Sequence, residues 1–578
     1  MSLTTNQKIA AVFDEMADLL DIQGANPFRA RAYRNGARTV RGLGKDVGDL
    51  LAHGLDLTTL PGIGTDLAAK IVEIRETGNL KALEKLRTQV PPTLEDLLLI
   101  PGLGPRRVQA LYNSLNIQNL DGLERAIRAG QVQELHGFGA KIQEQILAAI
   151  ASQRRKKPRR LRSVVAPEAE ALIAYMKESR AVQQIEIAGS FRRGKDMVGD
   201  LDILACAQRS AQVVDHFVNY PQVTRITAQG NTRASVVLTS GLDVDLRIVD
   251  RSSFGSALQY FTGSKAHSIR VRRLAQGKDL KLNEYGVFRG ARKIAGRTEA
   301  SVYRALGLPL IPPELREARD EIDAAREQRL PTLIELGDLH GDLHVHTAAS
   351  DGHADIMSMA NAAKKLHLQY IAITDHSQHL AVAHGLSEKQ LYRQIEDIDK
   401  ANENVKDFTL LKGIEVDILE DGRLDLPDHV LAKLDLVVGA IHDHFHLSRD
   451  KQTERILRAM DHRYFSILAH PTGRLLTQRE PYAVDIPRIV EHARARACFL
   501  ELNSQPQRLD LTDGDCRLAR DQGVLIAIDS DAHAPNDLAC LANGVLQGRR
   551  GWLAKSDVLN ARPLPELRGL LQATMLGN

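Results

Sequence analysis

The chain reads as a multidomain α and α/β protein: a helical first part, an α+β middle and a C-terminal α/β barrel. Three observations predict this. A turn with two glycines, one residue apart, recurs at Leu60–Gly64, Ile100–Gly104 and Leu135–Gly139, each time ahead of a helix-like run. Around Asp200 to Leu204 and Leu242 to Val249, apolar and acidic residues alternate with the period of a half-buried strand. Beyond about residue 339, apolar runs end repeatedly in His, Glu or Asp and are separated by helical segments, as in a barrel whose site lies at the strand C-termini. At 578 residues the chain is too long for one core, and about three to five compact units are expected.

Composition narrows the class. The 43% hydrophobic and 26% charged residues are those of an ordinary globular protein, and a net charge of +3 excludes a uniformly basic nucleic-acid binder. Any grip on nucleic acid must be local. Cys206, Cys498, Cys516 and Cys540 lack CxxC spacing, so neither a disulfide framework nor a thiolate metal site is indicated. The N-terminus has no apolar run behind a basic start, and no segment approaches a membrane span. A cytoplasmic, nucleoid-associated protein is expected.

In the helical part, each glycine pair opens a helix whose first N–H groups can hold a phosphate without reading a base. The three turns look like helix-hairpin-helix motifs, which makes Gly62, Gly64, Gly102, Gly104, Gly137 and Gly139 DNA-binding candidates. In the third copy His136 replaces proline, and an interhelical turn without a ligand is an equal alternative. Tyr33-Arg34 together with Leu60 to Lys70 resembles the small N-terminal lyase domain of the DNA polymerase beta group. The resemblance places Lys70 at that family's Schiff-base lysine. Such an amine attacks an aldehyde only when neutral, so its environment must lower its pKa. A surface helix lysine is the ordinary alternative. Residues 154–162, RRKKPRRLR, carry seven basic side chains in nine positions and read as a solvated linker able to touch DNA backbone.

The middle is organised around Gly189 to Leu204, GSFRRGKDMVGDLDIL. Gly189 and Ser190 can approach a phosphate, and Arg192 and Arg193 add cations. On a strand, Asp200 and Asp202 point to one face, where a hard divalent cation wants a carboxylate pair. Alternation in LDVDLRIV offers a third acid on a neighbouring strand. This constellation resembles the nucleotidyltransferase palm of family X DNA polymerases. The resemblance puts metal binding and catalysis on Asp200, Asp202 and Asp245, leaves Asp243 a bystander, and puts the triphosphate on Gly189, Ser190 and Arg193. It continues through Tyr260-Phe261-Thr262-Gly263-Ser264, Arg272 and Leu282-Asn283-Glu284-Tyr285, implying a thumb-like subdomain in which Tyr260, Phe261, Gly263 and Arg272 contact the nucleotide. Lys265 and Ser268 depart from the beta enzyme's acid and asparagine. The following LREARDEIDAAREQR reads as a polar helical connector without chemistry.

In the C-terminal part, sixteen of the twenty histidines lie between His340 and His533. The pattern DLHVHT, YIAITDH, GIEVDI, LVVGAIH, FSILAH and IAIDSDAH resembles the polymerase and histidinol phosphatase (PHP) domain, a distorted α/β barrel. That resemblance implies the metal ligands His344, His346, Asp351, His376, Glu415, His442, His470, Asp531 and His533, with His444 and His446 outside the set and Arg474 a phosphate contact.

Together these readings describe a bacterial-type family X repair polymerase with a PHP nuclease. The implied boundaries are 1–88 lyase-like, 89–160 second helix-hairpin-helix, 161–251 palm, 252–316 thumb-like, 317–338 linker and 339–578 PHP. Mg²⁺ or Mn²⁺ is expected at the polymerase acids and up to three Mn²⁺ or Zn²⁺ ions in the barrel. Expected partners are gapped or primed double-stranded DNA and deoxynucleoside triphosphates, with the chain a monomer and no membrane contact. A PHP phosphomonoesterase and a DNA-binding scaffold with a structural PHP site are the alternatives.

Overall fold

The computed structural model describes residues 5–576 apart from 24–25, 43–46, 48–50, 52–55, 61, 78–79, 88–93, 95–96, 98–99, 101–102, 136 and 155–158. The chain divides into two compact units, Met1–Lys157 and Pro158–Asn578.

The first unit is helical, with Thr5–Ile22, Pro27–Gly42, Thr65–Thr77, Pro105–Leu115, Leu120–Arg128 and Ala140–Arg154 as its main elements. Their apolar faces meet in one continuous core that includes Ile9, Phe13, Tyr33, Ile71, Leu103, Leu111, Phe138 and Ile146. The three glycine turns share one hydrogen-bond pattern. The N–H of Ile63, Leu103 and Phe138 bonds back to Leu60, Ile100 and Leu135 at 3.1, 2.9 and 3.2 Å, and all three of these turn residues are buried. The following helix then starts on the carbonyls of Gly64, Gly104 and Gly139. A buried residue between two glycines anchors the turn while the glycine backbone stays outside, and a Cβ at Gly64, Gly104 or Gly139 would meet nothing within 4 Å. Gly62 and Gly137 have φ of +75° and +89°, where a side chain is strained. Gly102 lies outside the described residues.

The second unit opens with a five-stranded sheet in the order Val182–Ile187, Asp200–Ala207, Asp243–Val249, Arg233–Leu238, Val223–Gln229. Only the Asp200–Ala207 and Asp243–Val249 neighbours run parallel. Val244, Leu246 and Ile248 are buried while Asp243, Asp245 and Arg247 are not, the predicted alternation. Leu172 and Met176 of helix Arg162–Glu178 and Val213 and Phe217 of helix Ser210–Val218 cover the apolar face.

The basic run is not a solvated linker throughout. Arg160 lies in a strand paired with Met197–Val198 and bonds the Ser240 carbonyl, while the Arg162 guanidinium sits 4.3 Å from the centre of the Phe191 ring. Both side chains belong to the palm; residues 155–158 of the run lie outside the described residues.

Next come helices Phe254–Thr262 and Lys265–Gln276, a small antiparallel sheet over 281–295, and helix Glu299–Ala305. The connector differs from expectation. Its helix is confined to Glu321–Arg326, and two of its charges, Arg316 and Glu321, are buried, while Asp323, Arg326, Glu327 and Arg329 stay exposed as expected. Arg316 donates to Glu299 at 2.6 Å and to the Ile311 carbonyl at 2.9 Å, and Glu321 meets His267 at 2.6 Å. Paired this way the ions tolerate burial, which a sequence pattern of charges cannot reveal.

The C-terminal part holds two parallel sheets, of three strands over 341–412 and five strands over 415–529. Isolated parallel bridges from Val345 to Ala532, and from His376 just past the middle strand of the first sheet to Glu415 at an edge of the second, join the two sheets into a distorted barrel. Alternate strand residues divide between two cores: Tyr370, Ala372, Leu411, Ile467 and Ala527 pack with Leu567 and Leu571 of the last helix, and Ile371, Ile373, Leu410, Leu468 and Ile526 pack under the surrounding helices.

Candidate functional site

The barrel's strand ends bring the nine predicted residues together. Three overlapping groups, His346/Asp351/His376/His533, His344/His346/Asp531 and His376/Glu415/His442, each have donor atoms within 4.8 Å of one another. His470 joins through Glu415 at 3.0 Å. Most of the ligands sit where a strand ends or just beyond, so the barrel largely sets the geometry; Asp351 comes from the loop after Gly341–Val345, and Glu415 opens the strand Glu415–Asp417. Among the buried polar atoms, His344 Nε2, both ring nitrogens of His346, His470 Nδ1 and Glu415 Oε2 find no hydrogen bond. Buried orphans of this kind, converging in a cleft, fit divalent metal ligation.

Electrostatics agree. Burial pulls imidazoles down and carboxylates up, yet the opposite charges outweigh it at most positions. His376 is pushed up to about 10 by Glu415 and Asp351, His442 to about 9 by Glu415 and Asp417, and His344 well upward by Glu501 and Glu415. Glu415 and Asp531 are held well below the carboxylate range by the surrounding imidazoles. Only His346, buried among His376, His533 and His344, goes down, to about 4. A divalent ion held by these groups would neutralise the same acids.

Several participants were not legible in the sequence. Glu501 accepts from His344 Nδ1 at 2.6 Å and from the His470 N–H at 2.6 Å, and Asp417 bonds His442 Nδ1 at 3.0 Å. These acids orient the imidazoles and fix their tautomers. The signal for Glu501 was an acid inside the apolar run FLELN. Arg508 lines the cleft 3.5 Å from Asp531. Arg474, the predicted phosphate contact, is instead spent on the backbone carbonyls of Arg508 and Leu509, because the HPTGR turn runs beneath that loop. His444 is half exposed beside Asp443.

The palm acids are brought together by register. Asp200 pairs with Asp243 and Asp202 with Asp245 across the parallel strands, so four carboxylates line one face. They are aligned by the sheet rather than gathered: the tight ligand groups found among the described residues all lie in the barrel. The Ser235 hydroxyl donates to Asp245. Gly189 begins the adjoining turn with φ +62°, and a Cβ there would come within 2.1 Å of Asp202 Oδ2. Glycine lets the turn lie against the acid. Ser190 follows, partly buried in the same turn.

The two arginines differ from expectation. Arg192 is taken up by a two-pronged pair with Glu299, at 2.9 and 2.6 Å, and by Thr262, so it is internal. Arg193 bonds the Thr262 carbonyl and, at 3.0 Å, Glu317, which also draws Lys195 and Arg550. Tyr260 and Phe261 meet edge to face, with Arg272 5.0 Å from the Tyr260 ring and Arg247 4.7 Å from Phe261. Gly263 follows them, and a Cβ there would lie 3.3 Å from an Arg193 nitrogen.

Lys70 has the opposite of the environment that a neutral amine requires. Burial pulls it down, but Asp66 one turn earlier and Tyr33 outweigh that, and its pKa is raised.

A polymerase-type palm and thumb followed by a PHP barrel is the class of protein this fold defines, and comparison with known proteins agrees. Family models match at 4–80 (helix-hairpin-helix domain), 94–152 (SAM-like helix-hairpin-helix tandem), 257–317 (DNA polymerase beta thumb) and 342–504 (PHP domain). The chain is 36% identical over 568 residues to DNA polymerase/3'-5' exonuclease PolX of Bacillus subtilis, covering 98% of this chain and 99% of that one. It is 25% identical over 351 residues to DNA polymerase lambda of Rattus norvegicus, covering 54% and 56%. Over 204 residues it is 33% identical to Probable phosphatase TTE1963 of Caldanaerobacter subterraneus, covering 33% and 75%. The chain belongs to the family X DNA polymerases that carry a C-terminal PHP domain.

Proposed function

We propose that this protein is a DNA-dependent DNA polymerase that fills short gaps in DNA repair, and that its barrel is a metal-dependent 3′–5′ exonuclease that also cleaves at abasic sites. The observation that carries the polymerase reading is the register of Asp200 and Asp202 beside Asp243 and Asp245, with the Gly189 turn lying against Asp202. Asp200, Asp202 and Asp245 would hold Mg²⁺ or Mn²⁺. Bound there, such ions activate a primer 3′-hydroxyl and stabilise departing pyrophosphate. Gly189, Ser190 and Arg193 receive the triphosphate, and Tyr260, Phe261, Gly263 and Arg272 face the base and sugar. The glycine turns at Gly62–Gly64, Gly102–Gly104 and Gly137–Gly139 hold duplex backbone. Arg193 must exchange Glu317 for phosphate as the nucleotide enters.

In the barrel the nine ligands would hold up to three Mn²⁺ or Zn²⁺ ions, which supply an activated water and charge neutralisation. Glu501 and Asp417 hold the imidazoles in orientation, and Arg508 faces the phosphate. The division at 88, 160, 251, 316 and 338, with Arg160 counted to the palm, a monomeric state and a cytoplasmic, nucleoid-associated location complete the reading. A 5′-labelled primer on gapped DNA, with Mg²⁺ or Mn²⁺ and with or without nucleotides, tests both activities. Extension should vanish in D200A/D202A, by roughly a thousandfold or more, while shortening persists; wild-type extension by that variant would sink the palm assignment. The likeness of the barrel to the Caldanaerobacter relative favours a second reading, hydrolysis of a small phosphomonoester. Release of phosphate from histidinol phosphate at a rate above DNA degradation would establish it.

A further inference from the structure

The metal-ligand cleft has a volume of about 240 Å³ and is lined by Asp351, His376, Glu415, His442, Arg508, Asp531 and their neighbours. Sites that enclose a whole drug-sized ligand run from about 300 to 1,000 Å³. A cleft this small takes a phosphodiester with part of its sugar, so the base of a nucleotide bound there must lie on the rim.

What the rim offers is apolar. Leu380, Val382 and Ala383 line the same cleft, on and beside the short turn Ala381–Ala383. Ala383 and, at the loop's end, Leu386 face inward and are buried, whereas Val382 is 88% exposed. The loop is also fastened at several points. Leu386 N–H bonds the His376 carbonyl at 2.7 Å, the Ser377 N–H bonds Glu415 O at 3.0 Å, and Gly385 packs so closely on Ser377 that a Cβ would collide with its carbonyl. The His379 N–H donates to Asp425 at 2.8 Å, and its ring meets Asp443 at 2.9 Å, itself paired with buried Arg455 at 2.6 Å. A fastened loop thus holds a branched apolar side chain in water at the mouth of a charged cleft. Hydrating that surface is unfavourable, and the flat face of a nucleobase would relieve it.

We propose that the Leu380–Val382 lip is the base-contacting subsite of the barrel, specific for a DNA 3′ end whose terminal base is unstacked, and that it separates polynucleotide ends from small phosphoesters. This rests on the nuclease reading above. The lip supplies none of the nine ligands, so its substitution should change substrate affinity and leave turnover alone. The contact is with a base face rather than a base edge, so all four bases should be accepted.

The test uses the full chain with Mn²⁺ and two single-stranded oligonucleotides, identical except that one carries an abasic sugar at its 3′ end. On the base-bearing strand V382A should raise KM roughly threefold and V382N, polar but uncharged, tenfold or more, the latter equal to about 1.4 kcal/mol. The value of kcat should be unchanged in both. On the abasic strand wild type and variants should coincide. Equal KM for wild type and V382N on the base-bearing strand would overturn the lip's role while leaving hydrolysis intact. An equal loss on both strands would also overturn it, since that marks general damage. Failure of the wild-type protein to shorten either strand would instead overturn the nuclease reading, and the inference with it.

Discussion

The guanidinium of Arg550, at the end of a helix in the barrel part, donates to the backbone carbonyl of Arg193 in the palm at 2.8 Å. The same side chain, only 2% exposed, pairs with Asp513 at 2.6 Å and Glu317 at 3.2 Å. Leu546 of that helix lies against Gly194, where even a Cβ would be 2.7 Å from its carbons. The turn proposed to receive the triphosphate is therefore seated on the PHP barrel.

Replacing Arg550 should accordingly weaken nucleotide use without touching any polymerase acid. R550M leaves Asp513 and Glu317 partly buried with fewer partners. Because Arg319, Arg193 and Lys195 remain, the loss should fall at or below the low end of the range for broken buried pairs, roughly 2–3 kcal/mol. Steady-state gap filling should show a several-fold rise in nucleotide KM, and thermal melting should show a drop of several degrees. An unchanged KM would separate the barrel from the nucleotide turn.

Acid should undo the same contact. Burial raises the carboxyls of Asp513 and Glu317, but Arg550 with Arg319 at the first, and Arg193 with Lys195 at the second, hold both below their ordinary values. A group depressed in the folded state contributes stability that is complete above its unfolded pKa, about 4 for carboxylates, and is lost as pH falls through the folded value. Melting temperature should therefore be flat from pH 7 to about pH 5 as far as these groups decide it, and fall below about pH 4. In R550M the acid slope should be shallower; an identical slope would count against the network.

Removing His344 and His346 together takes two imidazoles from the ligand groups. H344A/H346A should lose Mn²⁺-dependent shortening of a 3′ end by roughly a thousandfold, because the cation that neutralises the phosphodiester is no longer held. Bound metal, measured by elemental analysis, should fall with it. Circular dichroism must show a folded chain, since metal binding and folding are coupled. A folded, metal-depleted variant that still degrades DNA would place the nuclease elsewhere.

The glycine turns predict a different signature. Bulky residues at Gly62 and Gly64 should weaken binding of gapped and intact duplexes of any sequence alike, because backbone contacts carry no base information. Fluorescence anisotropy across a salt series should show the same relative loss for each sequence. A loss confined to one sequence would contradict phosphate binding by these turns.

Much of this protein was legible along the chain. The alternation around Asp243 to Val249 and the apolar runs ending in His344, His376, His442 and His470 are local periodicities, and each element's own pattern states which side chains share a face. The resemblance those motifs carry supplied the ligand set. Tertiary structure alone decided the rest. Arg192 and Arg193 are sequence neighbours of one chemistry, yet Glu299 claims the first and Glu317 the second from more than a hundred residues away. Glu501, Asp417 and Arg508 acquire their roles from strands and loops packed beside the ligands. Arg316 and Glu321 look like surface charges until the fold buries them against partners. The reason is physical: periodicity records which way a residue points within its own element. The worth of a charge depends on burial and on the opposite charge it meets, and both are set by elements distant in sequence.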